Sequence, residues 1–391
     1  MTCPRCGEKG ILDVIYDYER IKAHFNKDTL RKATDRTMWR FAPLMSVSDP
    51  PKTRLHVGGT PLYACTRLAD TLGLRRLHIK DEGSEPSGSL KDRASAVACA
   101  QASAMKRRVL SCSSTGNAAS SLAAQAARAG LESVIFVPAR APVGKLNQLA
   151  VHGATIVRVD GDYKAAFEMS KTAISKYGWY NRNAAINPHL VEGKKTVLFE
   201  IAEQSDFRLP DWIVVSVGDG CTIAGVHKGL KDLLALSMID SMPRLLGVQS
   251  EGCAPFVEAW RTKSDLVEHE EDTLADSIAV GIPRNPRKGL EAVKQTDGAY
   301  VSVSDKSILE AMKTLGALEG IFAEPASAAS LAGLTKALED GIIRHDESVC
   351  LIHTGNGLKD PDNARKAVEE PPLIKPDERH VVEYLEKRGV I

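Results

Sequence analysis

From residue 107 onward, short β-branched runs alternate with longer helical ones, and this alternation narrows the fold more than any other feature of the chain. "RRVLSCS" (107–113) precedes the Ala-rich "AASSLAAQAARAG" (118–130), and "ESVIFVPA" (132–139) precedes "GKLNQLAVHG" (144–153). "ATIVRVD" (154–160) then precedes "YKAAFEMSKTAISKYG" (163–178). Strand and helix at this spacing predict βαβ units and a parallel sheet, since parallel neighbours need a crossover that a helix supplies. The rhythm returns after residue 196 as helical "TVLFEIAEQ", strand "WIVVSV", helical "IAGVHKGLKDLLAL" and strand "RLLGVQS". Two open parallel-sheet α/β units are therefore expected. "NRNAAINPHLVEGKKT" (181–196), polar and interrupted by Pro188 and Gly193, reads as the connection between them. Residues 261–297, rich in charge, proline and glycine, read as a long excursion.

At 391 residues the chain exceeds the usual single-domain size. Its 51 basic and 50 acidic residues give no sign of a nucleic-acid or membrane surface, and no apolar run is long enough to span a bilayer. "MTCPRCGEKG" at the start has no apolar signal core, so a cytoplasmic location is expected. Eight cysteines scattered along the chain suit reduced thiols better than a disulfide framework. Only Cys3 and Cys6 are close together. Such a pair is half of a zinc knuckle, but structural zinc generally takes four ligands and no second CxxC follows, so no metal is expected.

Ligands of open parallel sheets bind beyond the carboxyl ends of the strands. "SSTGNAAS" (113–120) follows one strand and opens a helix with Ser, Thr and Asn, a start that suits a carboxylate. "VSVGDGCTIAG" (215–225) runs from a strand through glycines into a helix, where a phosphate fits. A dinucleotide fingerprint would need a third glycine where Ile223 stands, and no GKS or GKT follows to make a Walker loop. "IHTGNGLKD" (352–360) sets Thr354 at the end of an apolar run. "PSGSLKDRAS" (86–95) sets Lys91 between a glycine-containing run and an apparent helix start. In isolation, Lys91 is either a solvated first-turn lysine or an amine held at a cleft for covalent chemistry.

In this order the four segments resemble the fold type II pyridoxal-phosphate enzymes, and most closely the threonine synthase family. The resemblance runs from "GGTPLY" (58–63) through "PSGSLKDR", "SSTGNAASSLA", "NPHLVEGKKT", "VGDGCTIAG" and "EGIFAEPASAASLAG" to "HTGNGLKD" (353–360). It implies a tryptophan synthase β-like α/β fold with pyridoxal 5'-phosphate in the cleft between two domains. By the same resemblance Lys91 bonds the cofactor covalently as a Schiff base and serves as the catalytic base. Asn117 meets the ring hydroxyl. Gly218, Asp219, Gly220, Cys221 and Thr222 surround the cofactor phosphate, and Thr354 meets the pyridine nitrogen. Ser114, Thr115, Gly116 and Asn117 face the substrate. The expected division is an extension at 1–57, a large domain at 58–82 and 187–372, a small domain at 83–186 and a tail at 373–391. A homodimer acting on a small amino acid is implied.

The chain departs from that family around the substrate's own phosphate. Ala118 stands where a hydroxyl residue is usual, Ala184 and Ala185 where polar residues precede "NP", Leu190 where an arginine follows "NPH", and Thr222 where asparagine is common. Hydrogen bonds to charged groups contribute roughly 1.5–3 kcal/mol each, so these losses bear directly on the substrate. Arg182, His189, Lys194 and Lys195 are the nearby cations available to compensate. Two catalytic readings follow: a lyase acting on O-phosphohomoserine, or β-elimination or β-replacement on a serine, threonine or cysteine derivative. A non-catalytic relative that keeps the cofactor is a third.

Overall fold

The computed structural model describes residues 2–5, 7–47, 49–141, 143–183 and 186–391. Two sheets organise it. The larger has six strands in the order Ala299–Val303, Arg244–Ser250, Trp212–Ser216, Ser348–His353, Arg76–Asp81 and Leu62–Ala64. All neighbours are parallel except the last pair, which is antiparallel. The smaller is parallel throughout, in the order Thr155–Val159, Glu132–Pro138, Val109–Ser113 and Tyr180–Asn181. A short antiparallel pair, Thr2–Cys3 with Gly7–Ile11, lies near the N-terminus.

The expected strands and helices between residues 107 and 178 form with their ends moved by a few residues, because their apolar periodicity is long and unbroken. Strands of the large sheet are covered on both faces. Trp212, Val214, Val349 and Leu351 pack into one core with helix Pro325–Glu339. Their alternating neighbours Ile213, Val215, Cys350 and Ile352 enter another with helices Pro188–Gln204 and Cys221–Ala235. Strand side chains alternate between faces, so a continuous apolar run is what a doubly covered parallel strand needs. Helices Lys91–Ala104 and Asn117–Ala129 share the core of the small sheet.

Residues 188–196 correct the sequence expectation of a connecting segment. Helix Pro188–Gln204 begins at Pro188 and runs straight through Gly193. Pro188 occupies the first turn, where a missing N–H is harmless, and the Asn187 side chain caps the helix by accepting from the His189 N–H. A Cβ at Gly193 would lie 2.4 Å from the Arg93 carbonyl oxygen, so this glycine marks a close helix crossing.

That crossing is locked by a buried ionic cluster. Arg93 Nε lies 2.5 Å from Glu82 Oε2, and its Nη2 lies 2.8 Å from Glu200 Oε2. Lys80 Nζ donates to the same Glu200 oxygen at 2.8 Å, and Thr196 Oγ1 accepts from Arg93 Nη1 at 3.0 Å. Burial alone would raise the Glu200 carboxyl, but Arg93 and Lys80 hold it well below the usual range. Removing one partner of such a cluster leaves a buried charge uncompensated, a loss of about 3–5 kcal/mol. Arg93→Met is therefore expected to lower the urea midpoint by a corresponding amount. Because the folded-state pKa of Glu200 is depressed, its contribution is complete above the ordinary glutamate range and is lost as pH falls below it. A urea series from pH 7 down to pH 3 checks both, with the acid loss shrinking in Glu200→Gln.

Candidate active site

Lys91 is the first residue of helix Lys91–Ala104, and the turn before it is tied to a loop of the other sheet. Gly88 has φ +79°, a left-handed backbone that suits glycine. Beyond it, Ser89 bridges Gly355, Leu90 N–H donates to the Thr354 carbonyl at 3.0 Å, and Asn356 N–H donates to the Gly88 carbonyl at 2.9 Å. Asp92 closes the same turn by accepting from Ser87 N–H and Oγ at 2.8 and 2.6 Å and from Gln125 Nε2 at 2.8 Å. Lysine and threonine loops, 263 residues apart in the chain, thus share one set of backbone hydrogen bonds.

The Lys91 amine is lowered to about 8, first by burial and then by the positive charge of Lys194, with Glu324 pulling the other way. A lysine in this state has an unprotonated fraction at neutral pH large enough to act as nucleophile or base.

Three strand-end loops approach it. Helix Cys221–Ala235 begins at Gly220, φ +80°, with no side chain capping it. A Cβ at Gly220 would lie 2.7 Å from Phe256 Cζ and 2.9 Å from the Asn285 carbonyl oxygen, so glycine is needed both for backbone and for space. Asp219 fixes the loop by accepting from Asn285 N–H through its carbonyl at 3.1 Å and from Arg284 N–H through its carboxylate at 3.2 Å. Gly218, Asp219 and Thr222 are half-buried and Cys221 is buried. The uncapped first turn presents N–H groups and the positive dipole end, which suits a phosphate.

In the second loop Ser114, Thr115, Gly116 and Ala118 are half-buried, and a Cβ at Gly116 would meet open space. Asn117 is buried and donates its amide to both oxygens of Glu324, at 3.0 and 2.9 Å. Thr115, Gly116, Asn117 and Glu324 line one pocket. In the third loop, buried Thr354 donates its N–H to Ser327 Oγ at 2.8 Å. Three buried polar atoms without a hydrogen-bond partner among the described residues mark the same region: Ser113 Oγ, Ser216 Oγ and His353 Nε2, each on the last residue of its strand.

Sequence reasoning missed Glu324. It caps helix Pro325–Glu339 in position, and a Cβ at Gly355 would fall 2.5 Å from its Oε1, which accounts for the glycine after Thr354. Burial raises its carboxyl, against the Asn117 hydrogen bond and the Lys91 charge. An acid inside the apolar run "EGIFAEPASAASLAG" was the available signal.

Leu190 is fully buried and belongs to the small-sheet core cluster that includes Cys112 and Ala94. Ala184, Ala185 and Cys6 lie outside the described residues. Among the cations, Lys195 is paired with Glu192 and Asp232, and His189 Nδ1 is bonded to Gln101. Lys194 and Arg182 are buried beside Lys91.

Residues 53–355 match the family described as pyridoxal-phosphate dependent enzyme. Among curated relatives, threonine synthase of Methanocaldococcus jannaschii is 41% identical over 380 residues, covering 96% of this chain and 93% of that protein. Threonine synthase of Mycobacterium bovis is 38% identical over 334 residues, covering 85% of this chain and 90% of that protein. Among solved structures, maize serine racemase superposes with a TM-score of 0.68 at 20% identity, covering 94% of this chain and 98% of that one. Threonine deaminase isoform 2 from Solanum lycopersicum gives 0.67 at 22% identity, covering 80% and 88%. At such identities these two bear on the fold alone.

The lowered amine makes a pH prediction. Only the neutral amine attacks an aldehyde, so the rate of attachment of pyridoxal phosphate is expected to rise with pH through a midpoint near 8. Glu324→Gln removes a charge that favours the ammonium form and is expected to move that midpoint down. Stopped-flow absorbance across pH 6–10 measures both.

Proposed function

We propose that this chain, which belongs to the pyridoxal-phosphate-dependent enzymes and within them to the threonine synthase family, converts O-phosphohomoserine and water to threonine and phosphate. The observation that carries the reading is Lys91, a pKa-lowered amine tied by the hydrogen bonds of its turn to the Thr354 loop. Relatives alike over nearly the whole chain supply the substrate class.

The residues present fit the cofactor. Lys91 offers the amine, the uncapped Cys221–Ala235 helix the phosphate cradle with Gly218 to Thr222, Thr354 a hydroxyl for the ring nitrogen, and Asn117 an amide for the ring hydroxyl. The orphaned strand-end atoms supply further polar contacts. When bound, pyridoxal phosphate provides an electron sink for the pair left as a proton leaves the substrate's Cα.

The remaining work falls to the chain. Ser114, Thr115 and Gly116, at the start of an uncapped helix, hold the substrate carboxylate. Lys91 takes the proton from Cα and then from Cβ, phosphate leaves from Cγ, water adds at Cβ, and protons return to Cγ and Cα. Thr354 is neutral and cannot keep a pyridine nitrogen protonated as a carboxylate would, which favours elimination and replacement over transamination. Thr354 is buried, and Gly355 after it packs closely against Glu324.

Sheet membership supports a division into a large domain at 58–82 and 187–372 and a small one at 83–186. Six described cysteines buried as free thiols support a reducing, cytoplasmic setting, and no helix among the described residues is long and apolar enough to cross a membrane. A homodimer is the assembly we propose by analogy with the family.

Ala118 favours a second reading, β-elimination or β-replacement, because its half-buried methyl offers nothing to a second phosphate. The two separate in one assay. With O-phosphohomoserine the holoenzyme is expected to release phosphate and threonine in equal amounts, and Lys91→Ala to lower kcat by roughly 10³-fold or more, as loss of a base that is also the covalent anchor predicts. Keto-acid or sulfide release from serine or cysteine derivatives, with no phosphate from O-phosphohomoserine, favours the second reading.

A further inference from the structure

Lys194 is an anomaly that the cofactor chemistry does not absorb. It is 3% exposed and, among the described residues, makes neither a hydrogen bond nor an ion pair, whereas its neighbour Lys195 is held by two carboxylates. Its stem is packed at a three-helix junction. A Cβ at Gly225 would lie 3.1 Å from Lys194 Cβ, and Gly193 crosses the Lys91 helix at Arg93. Lys194 thus sits where its own helix meets the Lys91 helix and helix Cys221–Ala235, close enough to Lys91 and Cys221 to act on their charges, and burial lowers its pKa there.

A second cation accompanies it. Arg182 is 1% exposed; its Nε donates to Ser95 Oγ at 3.0 Å and its Nη2 to the Lys91 carbonyl at 3.4 Å, and among the described residues no carboxylate pairs with it. Two buried cations with no ion-pair partner among the described residues, beside a third amine, are unfavourable in the protein alone and become favourable with a bound anion. The cofactor phosphate has its own place on the helix N-terminus, so the unmatched charge calls for a second one.

We propose that Lys194, assisted by Arg182, forms the subsite for the phosphate carried by the substrate side chain, taking over from the cation missing at Leu190. Leu190 and Lys194 are four residues apart on helix Pro188–Gln204 and so lie on one face, a single turn apart. Leu190 is part of the core, and the charge on this face is that of Lys194, one turn further along. This inference rests on the reading of O-phosphohomoserine as substrate, and deepens it.

The test uses holoenzyme carrying Lys194→Met, which keeps the stem and removes the charge. Calorimetric titration with inorganic phosphate is expected to show binding to the wild type weakened roughly 10–100-fold in the variant, the scale of one charge-assisted hydrogen bond. KM for O-phosphohomoserine should rise by a similar factor with a smaller change in kcat, while cofactor affinity stays within about 3-fold. Lys194→Arg is expected to restore most of the phosphate binding. The apo variant should melt no lower than wild type, since an unpaired buried charge has been removed, which separates the effect from misfolding. Unchanged phosphate binding overturns the proposal. So does a loss of cofactor affinity with KM unaltered, which would assign Lys194 to the cofactor phosphate. If Lys194-dependent phosphate binding is found without turnover of O-phosphohomoserine, the anion subsite stands and the substrate assignment falls.

Discussion

Everything near Lys91 depends on the buried cluster around Arg93, two residues along the same helix. Its guanidinium joins Glu82, at the end of a large-sheet strand, to Glu200 on the helix that crosses it. Lys80 supplies a second positive charge from the sheet itself. The Lys91 helix, built into the small-sheet core, is thereby fixed to the large sheet. A buried ionic cluster is weak evidence for stability in itself, but its geometry is directional. Here it sets the position of a helix start, and Lys91 is the first residue of that start.

Chemistry then follows from where parallel strands end. In the large sheet the strand Ser348–His353 is inserted between Trp212–Ser216 and Arg76–Asp81, so chain direction across the sheet reverses there. The loops leaving the two central strands are the glycine loop and the Thr354 loop. Such a reversal opens a crevice at the carboxyl ends. In the small sheet the first strand, Val109–Ser113, has neighbours on both sides, and its exit is the Ser114–Asn117 loop. Uncapped helix starts, orphaned hydroxyls and unmatched cations therefore accumulate in one region. Each is unfavourable to the empty fold and useful to an anionic ligand.

Much of this was legible beforehand. The strands from Val109 to Val159 and their helices announced themselves by periodicity, and the loops at 113–120, 215–225 and 352–360 by their places after strands, whereas Lys91 was singled out by resemblance to a family. What failed was local. Pro188 and Gly193 look like breaks, yet one starts a helix and the other admits a neighbouring helix, and only tertiary contact distinguishes these uses. Leu190 could not be placed in the core without knowing which helix face turned inward. Glu324 reaches Asn117 from a residue 207 positions away, and Lys194 and Arg182 become remarkable only when their lack of carboxylates is visible. Long-range neighbours carry the electrostatics, and sequence spacing does not report them.

The central claim is that Lys91, and not another buried lysine, holds the cofactor. The most direct measurement is borohydride reduction of the holoenzyme followed by peptide mapping by mass spectrometry. The account predicts the pyridoxyl mass on the peptide containing Lys91, with Lys194 unmodified. A label on Lys194 or on any other lysine, with Lys91 free, would contradict it.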